Sequence, residues 1–189
     1  SVMDEETAAI MLTNPNTLGM FETDILKITE IIHKKGGLVY CDGANLNAVM
    51  GKTKINAMGV DVLHFNLHKT FSTPHGGGGP GAGPVGIIDK LSPFLPVPVI
   101  EHTDGKYGLN YDRPDSIGKM KSFFGNFGIL VRAYTYIRSL GPEGIKQVAE
   151  MAVLNANYIK SSLKEHFNLP YNGHSLHECV FNDKLQLKN

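Results

Sequence analysis

The chain has 189 residues, enough for one domain with a real core and the start of a second. Acidic and basic residues balance at 18 each, which argues against attraction to nucleic acid or a membrane surface through net charge. Two cysteines make no disulfide framework and fit a reducing compartment, and no apolar run approaches the roughly 20 residues of a membrane span. The opening SVMDEETAAI has neither an initiator methionine nor a signal-peptide pattern and runs almost directly into a buried-looking segment. The chain therefore reads as a piece of a longer one.

AAIMLT at 8–13 reads as a buried strand closed by the turn-forming NPNT. A helix follows, with Thr23 or Asp24 as cap, Ile25, Ile28, Ile31 and Ile32 on one apolar face, and Gly36 and Gly37 as the stop. LVYCD (38–42) is a second strand, INAMG a short helical turn, VDVLHF (60–65) a third strand and VGII (85–88) a fourth. Strands interleaved with helices predict an α/β sheet that is mostly parallel. The stretch 91–126, rich in proline and glycine, reads as a long irregular excursion. Two helices follow: 127–140 with Leu130, Ala133, Tyr134 and Ile137 inward, and 142–166 with Ile145, Val148, Ala152, Ile159 and Leu163 inward. The tail YNGHSLHECVFND begins like a further strand.

Ligands of mostly parallel sheets sit beyond the carboxyl ends of the strands, where Asp42 and Lys69 both fall. A lysine after a strand is most often a solvated surface residue. In HFNLHKTF, however, no other charge stands beside it except a protonated His68, and an amine in apolar surroundings becomes a nucleophile for Schiff-base chemistry. Asp42, before Gly43, is either a turn former or the carboxylate that pairs with the ring nitrogen of a pyridine cofactor. Ala44 is small enough to lie under such a ring. HGGGGPGAG (75–83) lacks the Walker-A ending. It is either a flexible hairpin or a loop whose bare backbone approaches a ligand and binds an anion, with Ser72, Thr73 and His75 as nearby donors. His64, His68 and His75 match no compact zinc site, so no metal is expected.

LHFNLHKTFSTPHGGGGPGAGPVG and YCDGANLNAVMG, with TNPNTLGMFE and RPDSIGKMKSFFGNFGILVRAYTYIRSLG, closely resemble the pyridoxal-phosphate P-protein family of the glycine cleavage system, the glycine decarboxylases. The resemblance runs nearly the whole chain and fits the C-terminal half or second subunit of that family. It implies a fold-type-I, aspartate-aminotransferase-like α/β large domain with the start of a small C-terminal domain. The implied boundaries are a cofactor segment at 1–126, linking helices at 127–170, and the truncated small domain at 171–189.

By the same resemblance, Lys69 is the catalytic residue and forms the Schiff base with pyridoxal phosphate. Asp42 holds the pyridinium nitrogen, Ala44 packs on the ring, and His68 and Thr70 complete the cofactor contacts. His75 and Gly76, Gly77, Gly78 and Gly79 form the substrate-side loop. The implied reaction is decarboxylation of glycine with transfer of the aminomethyl group to the lipoyl arm of H-protein. A complementary P-protein half or subunit and a dimer or higher oligomer are implied, and the isolated piece is expected to be inactive. The implied location is the cytoplasm for a bacterial source and the mitochondrial matrix for a eukaryotic one. Around HECV the family tends to carry an aromatic residue where Cys179 stands. Two other readings are another fold-type-I enzyme, such as an amino-acid decarboxylase or desulfurase, and a non-catalytic scaffold half. Asp42 and Lys69 are expected to converge, carboxylate and amine facing one pocket at the ends of adjacent or near-adjacent strands; side chains on opposite faces of the sheet would remove the cofactor reading.

Overall fold

The computed structural model describes residues 3–188. Among them, Ala9–Leu12 (β1), Leu38–Asp42 (β2), Val62–His64 (β3) and Val85–Ile87 (β4) form one sheet in chain order. β1, β2 and β3 are parallel and β4 returns antiparallel, so the sheet is mostly parallel as expected. The alternation in LVYCD decides its faces. Val39 and Cys41 are fully buried against the helix Ile25–Lys34 (α1), while Tyr40 and Asp42 are half-buried on the other face. Burying Val39 alone contributes about 1.5–3 kcal/mol. Burial also pushes the Cys41 thiol up, with the Asp42 charge adding to it, so this cysteine serves as a core residue rather than a nucleophile.

α1 buries Ile25, Thr29 and Ile32, with Ile28 half-buried, and leaves Ile31 52% exposed. The expected apolar face is corrected at that residue: at about 100° per residue, Ile31 lies off the stripe. Thr29 takes the place instead, because Gly59 leaves room for it; a Cβ at Gly59 would stand 2.5 Å from Thr29 Oγ1. Asp24 occupies the cap position without a side-chain cap bond, and its carboxylate pairs with Lys27. The sheet and α1 are tied by a buried carboxylate. Asp61 Oδ2 accepts the Val39 N–H at 2.7 Å and meets His33 Nε2 at 2.8 Å.

The excursion expected at 91–126 contains regular structure. Val99–Thr103 (β5) and Lys106–Asn110 (β6) form an antiparallel hairpin turned by Asp104 and Gly105, at φ +52° and +75°. Two left-handed residues make the tight turn that Asp-Gly favours. After the short helix Leu67–Thr70 (α2), the last helix is Phe127–Leu163 (α3), interrupted at Gly141, where φ is +64° before Pro142. The two expected helices are thus present: Ala133 is buried as expected and Ile145, Val148, Ala152 and Leu163 are half-buried, but other members of the expected faces are exposed. The first half buries Ile129 and Ala133, while Leu130, Tyr134 and Ile137 point outward; the second buries Ala149, Ala156 and Lys160, with Ile159 47% exposed.

The tail forms no strand among the described residues apart from an isolated bridge between Asn168 and Asn182. It folds back onto the domain instead. The Lys160 ammonium donates to the Gly173 carbonyl and to Ser175 Oγ, Asn157 Nδ2 donates to Ser175 O at 2.8 Å, and the Leu176 N–H donates to Gly19 O at 2.7 Å. Those polar groups override the strand-like composition of the segment.

Replacing Asp61 with alanine leaves the buried Val39 N–H without its acceptor and is expected to cost about 1–3 kcal/mol, read as a lower midpoint in urea unfolding. Gly19→Ala is expected to detach the tail, since its Cβ would stand 2.1 Å from Glu178 O at a φ of +76°. Limited proteolysis checks this, with new cleavage expected in 171–185 while the sheet region stays resistant.

Candidate functional site

The carboxyl ends of β2 and β3 are joined residue by residue. The register pairs Asp42 with His64, the Gly43 N–H donates to His64 O at 2.9 Å, and the Asn66 N–H donates to Ala44 O at 3.4 Å. One step further, the Leu46 N–H donates to Thr70 Oγ1 at 3.3 Å. Gly43 is required by crowding here, because a Cβ would meet Leu63 Cδ1 at 2.5 Å and His64 O at 2.7 Å. The turn after β2 is therefore tied to the lysine-bearing α2: Asp42 ends β2, and Lys69 stands on α2, beyond the end of the adjacent strand β3.

Asp42 fills the turn-forming role considered for it. Its Oδ1 accepts the Ala44 N–H at 2.9 Å, an Asx-type turn, and meets His64 Nε2 at 3.2 Å. Both contacts fall on Oδ1, so Oδ2 remains open to a donor, on a side chain 30% exposed. His64 Nδ1 in turn meets Tyr40 Oη at 2.8 Å. Neither Tyr40 nor this use of His64 was singled out from sequence. The available signal was the alternation Tyr40-x-Asp42, which places both on one strand face opposite the first residues of β3.

α2 is oriented by what its back face buries. Leu67 packs with Ile129 and Ala133 of α3 and with Phe65, Phe71 and Ala82, while Thr70 is 2% exposed. Lys69, between them on the helix, is exposed. The apolar surroundings expected for its amine are not supplied by the described residues, because the apolar side chains of this segment turn inward with Leu67. Thr70 faces inward as a strut to Leu46. His68 is half-buried, stacks edge-on against His75 with ring centroids 4.6 Å apart, and has a shielded Nδ1 with no hydrogen-bond partner. Burial, then the neighbouring His75 and Lys69, holds the His68 imidazole below the usual histidine range, which favours its neutral form.

The glycine stretch forms a defined turn. Gly76, Gly77 and Gly78 have φ of +54°, +70° and +110°, the Gly78 N–H donates to His75 O at 2.8 Å, and Asn126 Nδ2 donates to Gly79 O at 3.3 Å. Open space lies beside Gly77, Gly78 and Gly79, so their backbone is accessible to a ligand. A groove of about 440 Å³ lined by Ala48, Lys52, Ala149, Glu150, Val153, Leu154 and Asn157 includes none of these residues, and the polar groups able to do chemistry stand at the strand ends instead.

The class-V aminotransferase family matches residues 1–78, which include Asp42 and Lys69. The chain is 59% identical over 187 residues to the probable glycine dehydrogenase (decarboxylating) subunit 2 of Bacillus licheniformis, covering 99% of this chain and 39% of that protein. The same-named protein of Bacillus cytotoxicus is 58% identical, with 99% and 38% covered. The chain is homologous to glycine dehydrogenase (decarboxylating) subunit 2. It spans about two fifths of the length of these relatives. Among solved structures, inhibitor-bound glycine decarboxylase (P-protein) of the glycine cleavage system superposes with a TM-score of 0.71 at 25% identity, covering 86% of this chain and 39% of that one. A cysteine desulfurase from Thermococcus onnurineus NA1, with a TM-score of 0.62 at 17% identity over 95% of this chain and 48% of that one, shares the fold. The architecture is that of the fold-type-I pyridoxal-phosphate enzymes.

Gly43→Ala is expected to force β2 and β3 apart at Asp42, costing about 1–3 kcal/mol; a thermal melt indistinguishable from the parent chain would contradict the close approach described above.

Proposed function

We propose that this chain supplies the lysine- and aspartate-bearing part of a pyridoxal-phosphate site for glycine decarboxylation, with the aminomethyl group passed to the lipoyl arm of H-protein. The observation that carries the reading is the union of Asp42 and the Lys69 helix at adjacent strand ends, with Asp42 Oδ2 open beside a pinned Oδ1. The donor set suits the group: an accessible primary amine, an open carboxylate oxygen, a small residue between them in the turn, and a half-buried imidazole with an unpartnered Nδ1.

Pyridoxal phosphate, when bound, supplies an electron-withdrawing pyridinium that takes up the electron pair released as carbon dioxide leaves glycine. Lys69, exposed on α2, carries the amine that would hold the cofactor's aldehyde group. Asp42 would accept the ring N–H through Oδ2 and keep that nitrogen protonated, and Ala44 would lie against the ring face. The neutral His68 offers a hydrogen bond to the ring oxygen or phosphate. Thr70 contributes by holding the Ala44 turn against α2. His75 and Gly76, Gly77, Gly78 and Gly79 line the substrate side with exposed backbone, through which a carboxylate is bound.

The division into a cofactor segment at 1–126, linking helices at 127–170 and the start of a small domain at 171–189 belongs to this reading, supported by the break of α3 at Gly141. A complementary subunit completes the site, within a dimer or higher oligomer. Among the described residues no helix is long and apolar enough to cross a membrane, and a cytoplasmic location is proposed on the bacterial relatives.

The test uses the chain assembled with its complementary subunit, cofactor and H-protein. Borohydride reduction is expected to label Lys69, identified by mass spectrometry. Lys69→Ala is expected to remove the label and to lower glycine–bicarbonate exchange below about one thousandth. Asp42→Asn is expected to keep the label and to slow exchange by ~100-fold, because a neutral pyridine is a poorer electron acceptor. Labelling at another lysine, or full exchange activity in Asp42→Asn, would overturn the assignment.

A further inference from the structure

We propose that residues 175–179 form a strap across the carboxyl ends of β1 and β2, with Glu178 as the positioning residue that holds the Ala44 turn through Asn45. This deepens the function proposed above and rests on it for the purpose of the strap, though not for the strap itself. β1 and β2 are parallel, so the turns that follow them leave the same edge of the sheet, where Asp42 ends β2. The first of these turns is built on Asn16, whose Oδ1 accepts the Leu18 and Met20 N–H groups, and it carries Gly19. The tail seats there. The Leu176 N–H donates to Gly19 O at 2.7 Å, and the Glu178 backbone lies so close that a Cβ at residue 19 would stand 2.1 Å from its carbonyl oxygen. From α3, Asn157 Nδ2 donates to Ser175 O at 2.8 Å, so the strap is anchored on both sides.

That seat brings the Glu178 carboxylate to the second turn, where Oε1 accepts a hydrogen bond from Asn45 Nδ2 at 3.4 Å. The other end of the amide sets the direction of this bond. Asn45 Oδ1 accepts the Asn47 N–H at 3.0 Å, and an ionised carboxylate can only accept, so the amide NH2 faces Glu178. His177, with a side chain 5% exposed, stands 3.5 Å from the same Oε1. Burial, against the pull of Glu178, holds its imidazole below the usual histidine range, so at neutral pH the ring leaves the carboxylate charge to the amide. The turn is then held from three directions. Asp42 Oδ1 takes the Ala44 N–H from within, Thr70 Oγ1 takes the Leu46 N–H from α2, and Glu178 takes the Asn45 amide from the tail. Of these three, only the last comes from beyond α3. A shift of the strap is therefore felt at Ala44, the surface on which the cofactor ring would lie. Orienting partners of this kind act through geometry, as the second layer of residues does around a metal ligand.

Two measurements test the inference. In the chain without cofactor, Glu178→Ala is expected to speed amide hydrogen exchange at Asn47 by about fivefold, the equivalent of one hydrogen bond, while Val39 and Cys41 keep their rates. Glu178→Gln, whose side-chain oxygen still accepts, is expected to keep the parent rate. Gly19→Ala is expected to speed exchange at Asn47 as well, because it lifts the strap. Unchanged exchange at Asn47 in Glu178→Ala, or an equal rise in Glu178→Gln, would overturn the inference, whatever becomes of the cofactor assignment. In the assembled enzyme with pyridoxal phosphate, Glu178→Ala is expected to lower kcat by about fivefold and to shift the absorption band of the bound cofactor. It should leave the KM for glycine and the borohydride labelling of Lys69 unchanged. Glu178→Gln is expected to restore most of the rate and the parent band. Equal loss in both variants, no change of rate or band in Glu178→Ala, or a change confined to KM would overturn the positioning role. Absence of Lys69 labelling in the parent enzyme would instead remove the proposed function and leave the exchange result standing.

Discussion

The structure depends on β2 being held on every side. Val39 and Cys41 have no solvent exposure, and the Val39 N–H is bonded to a carboxylate that is itself buried. A buried amide paired with a charged acceptor is costly to break, since both groups would be stranded away from water. The strand is therefore held in register, and a slip of one residue would exchange Asp42 for Cys41 on the half-buried face. The positions of Asp42, His64 and Tyr40 all follow from that immobility.

From β2 the constraint passes to the lysine. Gly43 allows the two chains to approach, Asn66 and Leu46 close the backbone links, and Leu67 anchors α2 beneath α3. Lys69 is left on the outer side of a helix whose inner side is occupied. The glycine turn serves the same end. The Leu67 N–H donates to Ala82 O and the Phe65 N–H to Pro84 O, so the chain must reverse sharply between 75 and 82, and left-handed glycines make that reversal without strain. His75 entering the turn and His68 on α2 stack together, which couples the loop to the lysine helix. Exposed backbone at Gly77–Gly79 is thus presented from a fixed base.

The strands, α1 and the break between the two long helical segments were legible from residue order, because alternation, caps and glycine stops are local signals. The placement of Asp42 at the end of β2 and of the lysine segment after the neighbouring strand was legible too, from the apolar runs that precede them. The hairpin at 99–110 was not recognised, although Asp104-Gly105 is a local turn signal; prolines nearby and the lack of clean alternation obscured it.

Other features had no local signature. Which face of α3 packs inward depends on where α2 places Leu67, so Ile129 and Ala133 are buried and Leu130 and Tyr134 are not. The tail is strand-like in composition, yet its partners are Gly19, Asn157 and Lys160, far away in the chain. The Tyr40–His64–Asp42 array exists only once β3 pairs with β2 in one register. Order along the chain determines which residues can form a strand, a cap or a turn, because those choices are made between near neighbours. Which side chains meet across the sheet and which amine is left facing outward are decided by packing between distant segments, whose relative placement no local pattern encodes.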